Sequence, residues 1–362
     1  MTAKIYTAIG MISGTSMDGI DAAVIETDGE RVLRRGAWST TPYSRELRRA
    51  VGEAVNDPAR AEHEPLQAEE QALTELHASC VSSLLKQERI AAGAVDLIGM
   101  HGQTILHRPE RRFTRQLGDG ALLARLTGIN VVDRFRHADV AAGGEGAPFA
   151  PLYHRALSAG LDKPVAVLNL GGVGNVTLID DGFILAFDTG PASAMIDDWV
   201  LRHTGKAYDD GGKIAASGVI DEARLAELMD NPFFAVKPPK SLDRNDFPAT
   251  PVKSLGLADG AATLTAFTIQ SVAASRRHLP RAPRRWLVTG GGRHNATMMS
   301  GLAAALGVPV EPVEAVGWQG DCLEAQCFAF LAVRSVLGLP LSEPTTTGVP
   351  HPMTGGRLSK AT

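Results

Sequence analysis

The sequence predicts an α/β protein of two domains, on three observations. The chain has 362 residues, more than one ordinary hydrophobic core organises. Apolar strand-like runs alternate with helical patterns along it. A strand–glycine turn–strand unit stands near the N-terminus and is met again after Val165.

Composition narrows the function classes. Apolar residues are 44% and charged residues 21%, the balance of a packed globular protein. A formal net charge of -4 supplies no basic face, so no nucleic-acid partner is expected. The N-terminus lacks the regions of a signal peptide, and no apolar run is long enough to span a membrane. Cys80, Cys322 and Cys327 form neither a zinc spacing nor a disulfide framework, so a reduced cytoplasm is expected.

The first unit runs from the apolar stretch Ile5–Ile12 through Ser13, Gly14, Thr15, Ser16, Met17, Asp18, Gly19, Ile20 and Asp21 into Ala22–Ile25. Gly14 and Gly19 allow positive φ and close approach of a ligand. Thr15 and Ser16 offer hydroxyls and N–H groups to an anion. Asp18 suits a hard cation, directly or through water. The turn is therefore either an ordinary hairpin or a seat for a magnesium-bound polyphosphate.

Residues 31–41 read as a third strand broken by Pro42, and 64–90 as a long helix packed on a sheet. The run Val95–Met100 is a buried strand leading into His101, Gly102, Gln103 and Thr104. A polar loop after such a strand is a usual ligand position; a histidine like His101 on its own is more often structural, and the adjoining Gln103 and Thr104 favour a polar ligand. Asp119 caps a helix over 121–126. After a strand at 129–132, charges crowd 133–139 and small residues fill 141–148. That stretch is either a solvated linker or a crossover carrying Arg136 and Asp139 to a polar substrate. Both readings put a boundary near Arg136.

The second unit is Val165–Leu170, a turn over Gly171, Gly172, Val173, Gly174 and Asn175, and a return strand Val176–Ile179. Two such hairpins can grip one polyphosphate. Asp188 ends the apolar strand from Phe183, before a helix over 192–202. It is either an N-cap or a base facing a cleft. Lys237 and Lys240 stand in a loop, their charges expected in solvent. The strand Trp286–Thr289 runs into Gly290, Gly291 and Gly292, where a flat group can lie on the backbone. Asp321 and Glu324 have the spacing of a capping box for a last helix reaching Leu337.

Taken together, the segments 14–19, 101–104, 116–119, 139–144, 169–172, 187–191 and 290–292 resemble the anhydro-N-acetylmuramic acid kinase family over essentially the whole chain. The resemblance implies the two-domain actin-like ATPase (ribonuclease H-like) fold with an interdomain cleft. The domains expected are residues 1–136 with about 333–362, and 137–332. It implies ATP and Mg²⁺, with phosphates held by the turns at 14–21 and 171–175 and adenosine near 290–292. Asp188 matches the family's catalytic base, and Glu324 a glutamate near the closed site. His101, Gln103, Thr104, Arg136 and Asp139 are candidate sugar contacts. Glu145 stands where the family pattern has glutamine, and Ser193 where it has asparagine. The activity implied is ATP-dependent opening of the anhydro ring with phosphorylation of O6, in peptidoglycan recycling, by a homodimer. Rival readings are a kinase for another anhydrosugar such as levoglucosan, and an ATP-gated binding module without catalysis.

Overall fold

The computed structural model describes residues 4–14, 17–242 and 247–361, so Thr15 and Ser16 of the opening turn lie outside the described residues. The chain divides into two units, one up to Leu157 joined by Cys322 onward, the other Ser158–Asp321. They exchange later than residue 136 and earlier than residue 332, the positions expected from sequence.

The first unit is built on a sheet of β1 (Tyr6–Ser13), β2 (Gly19–Thr27), β3 (Val32–Pro42), β4 (Leu97–Arg108), β5 (Phe113–Leu117) and β6 (Val131–Asp133). The order is β6-β4-β1-β2-β3, with β5 on β4 and the short strand Arg357–Ser359 beyond β6. β1, β2 and β3 form an antiparallel meander, and β4 and β6 add in parallel on the other side of β1. Parallel strands need both faces covered, and the near-continuous apolar runs of β1 and β4 meet that demand: Ile9, Met11, Ile98 and Met100 are at most 1% exposed.

Helix Gln67–Glu88 brings Leu73, Cys80, Val81 and Leu84 into the same core, at the helical spacing expected. Helix Leu323–Val336 packs on β1, β2 and β4. Its seat is a pair of glycines: Gly10 and Gly99 are register partners across β1 and β4. A Cβ at Gly10 would fall 2.9 Å from the carbonyl carbon of Ala325, and one at Gly99 2.7 Å from that of Phe328. The missing side chains let the helix main chain rest on the strands.

The second unit repeats the plan. β7 (Val165–Leu170), β8 (Val173–Asp180) and β9 (Phe183–Pro191) form the meander. β10 (Arg285–Thr289) and β11 (Val310–Pro312) add in parallel beside β7, giving β11-β10-β7-β8-β9. Helices Ser193–Thr204, Leu257–Ser275 and Ala296–Leu306 cover this sheet around Phe187, Trp199, Phe267 and Trp286. The same strand order in both units is the ribonuclease H-like order of the two-domain actin-like ATPase fold. The doubled hairpin legible in the sequence is the start of each copy.

Several local expectations change. β2 begins at Gly19, so Gly19, Ile20 and Asp21 belong to the strand and not to the turn. The second turn is only Gly171–Gly172, because Asn175 already pairs within β8. β4 does not end before His101; it runs on to Arg108, kinked at Gly102 with φ +75°. Residues 137–141 are a short helix instead of a linker. Among the described residues, no helix is long and apolar enough to cross a membrane.

Candidate functional site

Each unit carries its own set of polar groups. In the first, β1 delivers Ser13 to the edge of the opening turn. Met17 N–H closes the turn on the Gly14 carbonyl at 3.1 Å. Among the described residues of this turn, Met17 is left-handed, φ 52°. Gly19 is required for another reason: a Cβ there would lie 2.5 Å from the Thr41 carbonyl oxygen of β3. Asp18 has an exposed side chain, and its carbonyl accepts Tyr43 N–H at 3.0 Å. Ile20 is fully buried in the core, and Asp21 accepts the Thr40 hydroxyl at 2.5 Å.

Gln103, 1% exposed, fastens the base of this turn. Its Oε1 accepts the Ser13 hydroxyl at 2.6 Å, and the Tyr43 hydroxyl donates to Ser13 at 2.5 Å. Burial pushes the Tyr43 phenol up to about 12, so it remains a donor. Thr104 is tied to Gln116 at 3.3 Å. These two residues brace strands; they replace the polar loop expected from sequence.

His101, Arg136 and Glu324 form the second constellation of this unit. Arg136 Nε donates to His101 Nε2 at 2.9 Å, so the histidine's proton is on Nδ1 and goes to the Gly102 carbonyl at 2.9 Å. Burial, with the Arg136 charge adding, holds His101 well below its ordinary value, and it stays neutral. Phe328 packs on the imidazole at 4.5 Å between centroids. Arg136 also donates to the Gly146 carbonyl and lies 5.5 Å from the Phe149 ring centroid.

Glu324 does not complete a capping box. The helix begins at Leu323 without a side-chain cap, and Asp321 binds Arg293 instead. Crowding by protein raises the Glu324 carboxyl; the Arg136 charge opposes that and the Asp21 carboxylate adds to it. Solvent nonetheless reaches the Glu324 side chain, whereas Arg136 is half-buried. A solvent-reached carboxylate within the field of a fixed guanidinium suits the hydroxyls of a sugar.

Asp139 is different. It is 2% exposed, and it accepts Gly146 N–H at 2.7 Å, the Thr347 hydroxyl at 2.6 Å and the Ser342 hydroxyl. Its carboxylate is spent on tying residues 139–146 to the C-terminal segment, and the expected substrate contact gives way to this structural knot. The neighbouring Glu145 donates its N–H to Thr347 and accepts His107 Nε2 at 2.9 Å, both through its main chain.

In the second unit four strands bring polar residues into one row. Thr289 of β10 is the register partner of Asn169, Asn169 of Asn175, and Asn175 of Asp188. Direct partners share a sheet face, so the row crosses the sheet just where the glycine turns leave it. A β-bulge at this level leaves Thr189 unmatched between Asp188 and Gly190; bulges of this kind re-aim side chains beside sites. Asp188 does not cap the following helix: the N-cap is Ala192, and Gly171 and Gly172 carbonyls take the first N–H groups, Ser193 N–H among them at 2.9 Å. Asp188 instead accepts Leu242 N–H on Oδ2 at 2.8 Å.

The two glycine turns of this unit meet. Gly290, φ +77°, and Gly292 both lie against Leu170, where Cβ atoms would fall 2.7 Å from its carbonyl oxygen and 2.6 Å from its side chain; Gly291 faces open space. Arg293, a residue the sequence reading missed, pins this loop. It donates to the Gly290 carbonyl at 3.0 Å, to Glu314 at 3.0 Å and to Asp321. Asn169 was legible as a polar residue inside an apolar run and as part of the segment 169–172, without a role of its own.

Among the described residues, no group of three His, Cys, Asp or Glu side chains could hold a metal ion. The donor set at the opening turn, one exposed carboxylate at Asp18, fits magnesium, which takes one or two carboxylates, phosphate oxygens and water.

A family model described as anhydro-N-acetylmuramic acid kinase matches residues 6–360. Curated proteins of that name are similar over nearly their full length. The one from Rhizorhabdus wittichii is 53% identical over 355 residues, covering 96% of this chain and 97% of its own. That from Paramagnetospirillum magneticum is 53% identical over 354 residues, covering 97% and 98%. That from Acidiphilium cryptum is 54% identical over 359 residues, covering 97% of each.

Proposed function

The chain belongs to the anhydro-N-acetylmuramic acid kinase family and is an ATP-dependent carbohydrate kinase; from that premise we propose that Asp188 is the general base of the reaction its family name describes. The substrate's O6 is bound to its own C1, so it has no proton and is a poor nucleophile. Asp188 takes a proton from water as that water attacks C1. The C1–O6 bond breaks, and O6 takes the γ-phosphoryl group of ATP, giving N-acetylmuramic acid 6-phosphate and ADP. An inverting glycosidase uses a second carboxylic acid to protonate the leaving oxygen; here the phosphoryl group is the electrophile, and one carboxylate suffices.

The observation that carries this reading is the placement of Asp188. It stands at a bulge in the polar row beside the Gly171–Gly172 turn, held by Leu242 and left out of helix capping. The turn at Gly14–Asp18 and the turn at Gly171–Gly172 are assigned to phosphates, and Gly290–Gly292 to adenosine. Arg136 and Glu324 are assigned to polar groups of the sugar, with His101 as the acceptor that orients Arg136. Asp18 is assigned to Mg²⁺, directly or through water; when bound, the ion neutralises charge on the phosphates.

The test is a coupled ADP-release assay with anhydro-N-acetylmuramic acid, run in ¹⁸O-water. Sugar-dependent turnover with label on C1 is expected, and the bridge to phosphorus carries the sugar's own O6. Label in that bridge sinks the coupled mechanism. Turnover with levoglucosan but not with the muramic sugar sinks the substrate. The expected homodimer is a separate proposal, read by sedimentation equilibrium: a single-chain species at all concentrations removes it.

A further inference from the structure

The loop residue Lys240 is not in solvent. It is 7% exposed, whereas Lys237 is exposed. Its Nζ donates to the Phe233 carbonyl at 2.8 Å and lies 4.1 Å from the Phe233 ring centroid and 5.9 Å from that of Phe187. Phe187 precedes Asp188 on β9. The main chain of the same segment grips Asp188 twice. The Lys240 carbonyl accepts Asp188 N–H at 3.0 Å, and Leu242 N–H donates to Asp188 Oδ2 at 2.8 Å.

A buried ammonium is costly. Burial lowers Lys240 to about 8; the charge of Arg277 adds to the lowering and that of Asp188 opposes it. A carbonyl and a ring face offset part of this cost. Leucine or methionine would fill the space without it. Arg277 is exposed, its Nε on the Ala274 carbonyl. His278, beside it, bonds the Phe234 carbonyl and meets Phe187 edge-on. Lys240 is thus a buried cation whose charge and that of the Asp188 carboxylate attract, and opposite charge favours the ionised form a base needs.

We propose that Lys240 is a positioning residue for Asp188: its main chain fixes the carboxylate, and its ammonium, anchored on Phe233, holds that carboxylate ionised for proton transfer. The proposal rests on Asp188 being the base. The test is the pH profile of kcat with ATP and anhydro-N-acetylmuramic acid in three enzymes. Lys240→Gln keeps a donor for the Phe233 carbonyl and removes the charge; Lys240→Arg keeps the charge. In the Gln variant the acid limb moves to higher pH by about half a unit or more. Its kcat falls about tenfold while KM for ATP stays within about twofold. In the Arg variant the limb returns to its original position. If Lys240→Gln melts below the assay temperature, Lys240→Met, which keeps the apolar stem, is read the same way.

A wild-type limb in the neutral variant overturns the proposal, and so does equal loss in both variants with the limb unmoved. Asp188→Asn is run alongside. If it remains active, the base reading falls whatever the lysine variants do. If it is inactive while the neutral lysine variant keeps its limb, only the role of Lys240 falls.

Discussion

Gly10→Ala drives a wedge under the helix that carries Glu324. The new Cβ would stand 2.9 Å from the carbonyl carbon of Ala325, and closer still to its oxygen and to the Ala329 nitrogen. Carbon atoms pack at about 3.5–4.0 Å, so the helix must rise by about 1 Å. Every obstructing atom is main chain, and no rotamer change relieves the clash. Overpacking of a tight core costs about 1–3 kcal/mol, and a rigid obstacle puts this case near the upper end, about 3 kcal/mol. For a unit of this size that is a fall of about 6–12 °C in melting temperature. Glu324 is bonded to Ala325 and moves with it; a displacement of about 1 Å at a binding group costs up to about 10²-fold. Scanning calorimetry and kcat/KM for the sugar are the two readouts. Gly93→Ala is the control, since a Cβ there meets nothing within 4 Å. A Gly10→Ala protein that melts with the wild type and keeps its sugar kinetics refutes the seating argument.

Three further outcomes are expected. Asp188→Asn keeps the shape and the Leu242 bond but cannot take the proton, so turnover falls about 10²–10⁴-fold while ATP and sugar still bind; retained turnover removes this residue from the chemistry. Asp18→Asn strongly reduces turnover at ordinary magnesium concentrations and leaves the melting temperature in place, because the side chain is exposed; near-normal activity at those concentrations rejects the assignment. Stability falls as pH drops below about 6.5. Burial holds His77 down to about 4 and His154 down to about 3. Between those values and about 6.5 the unfolded chain binds the extra protons, so stability is lost as pH falls through that window, about 3 kcal/mol for His77 alone. Urea midpoints from pH 7 to pH 5 read the slope, and His77→Leu flattens it; an unchanged slope in that variant excludes His77 as the source.

What the sequence made legible is what local physics determines. The two hairpins were readable because an apolar run, a glycine turn and a second apolar run are signals confined to about a dozen residues. Asp119 was readable as a cap because its partners, Ala121 N–H and Leu122 N–H, are its neighbours. Asp321 and Glu324 show where this stops. Their spacing is that of a capping box, which forms only if the helix starts between them in the right phase. The helix starts two residues after Asp321, and its start is set by the descent onto Gly10 and Gly99, far away in the sequence. Asp321 is then free of the helix and turns to Arg293, and Glu324 comes under the influence of Arg136. Lys240 misled at shorter range. A lysine in a proline-rich loop is solvated unless the chain folds an aromatic face and a carbonyl beneath it, and Phe233, seven residues back, supplies both. Asp139 is the converse: a charged residue in a small-residue stretch looked available for substrate, but Ser342 and Thr347, some two hundred residues on, take its oxygens. For Asp321, Glu324 and Asp139 the deciding partner lies outside any window a local pattern covers, and for Lys240 it lies within one but follows no repeating pattern, so the residue type was visible and its role was not.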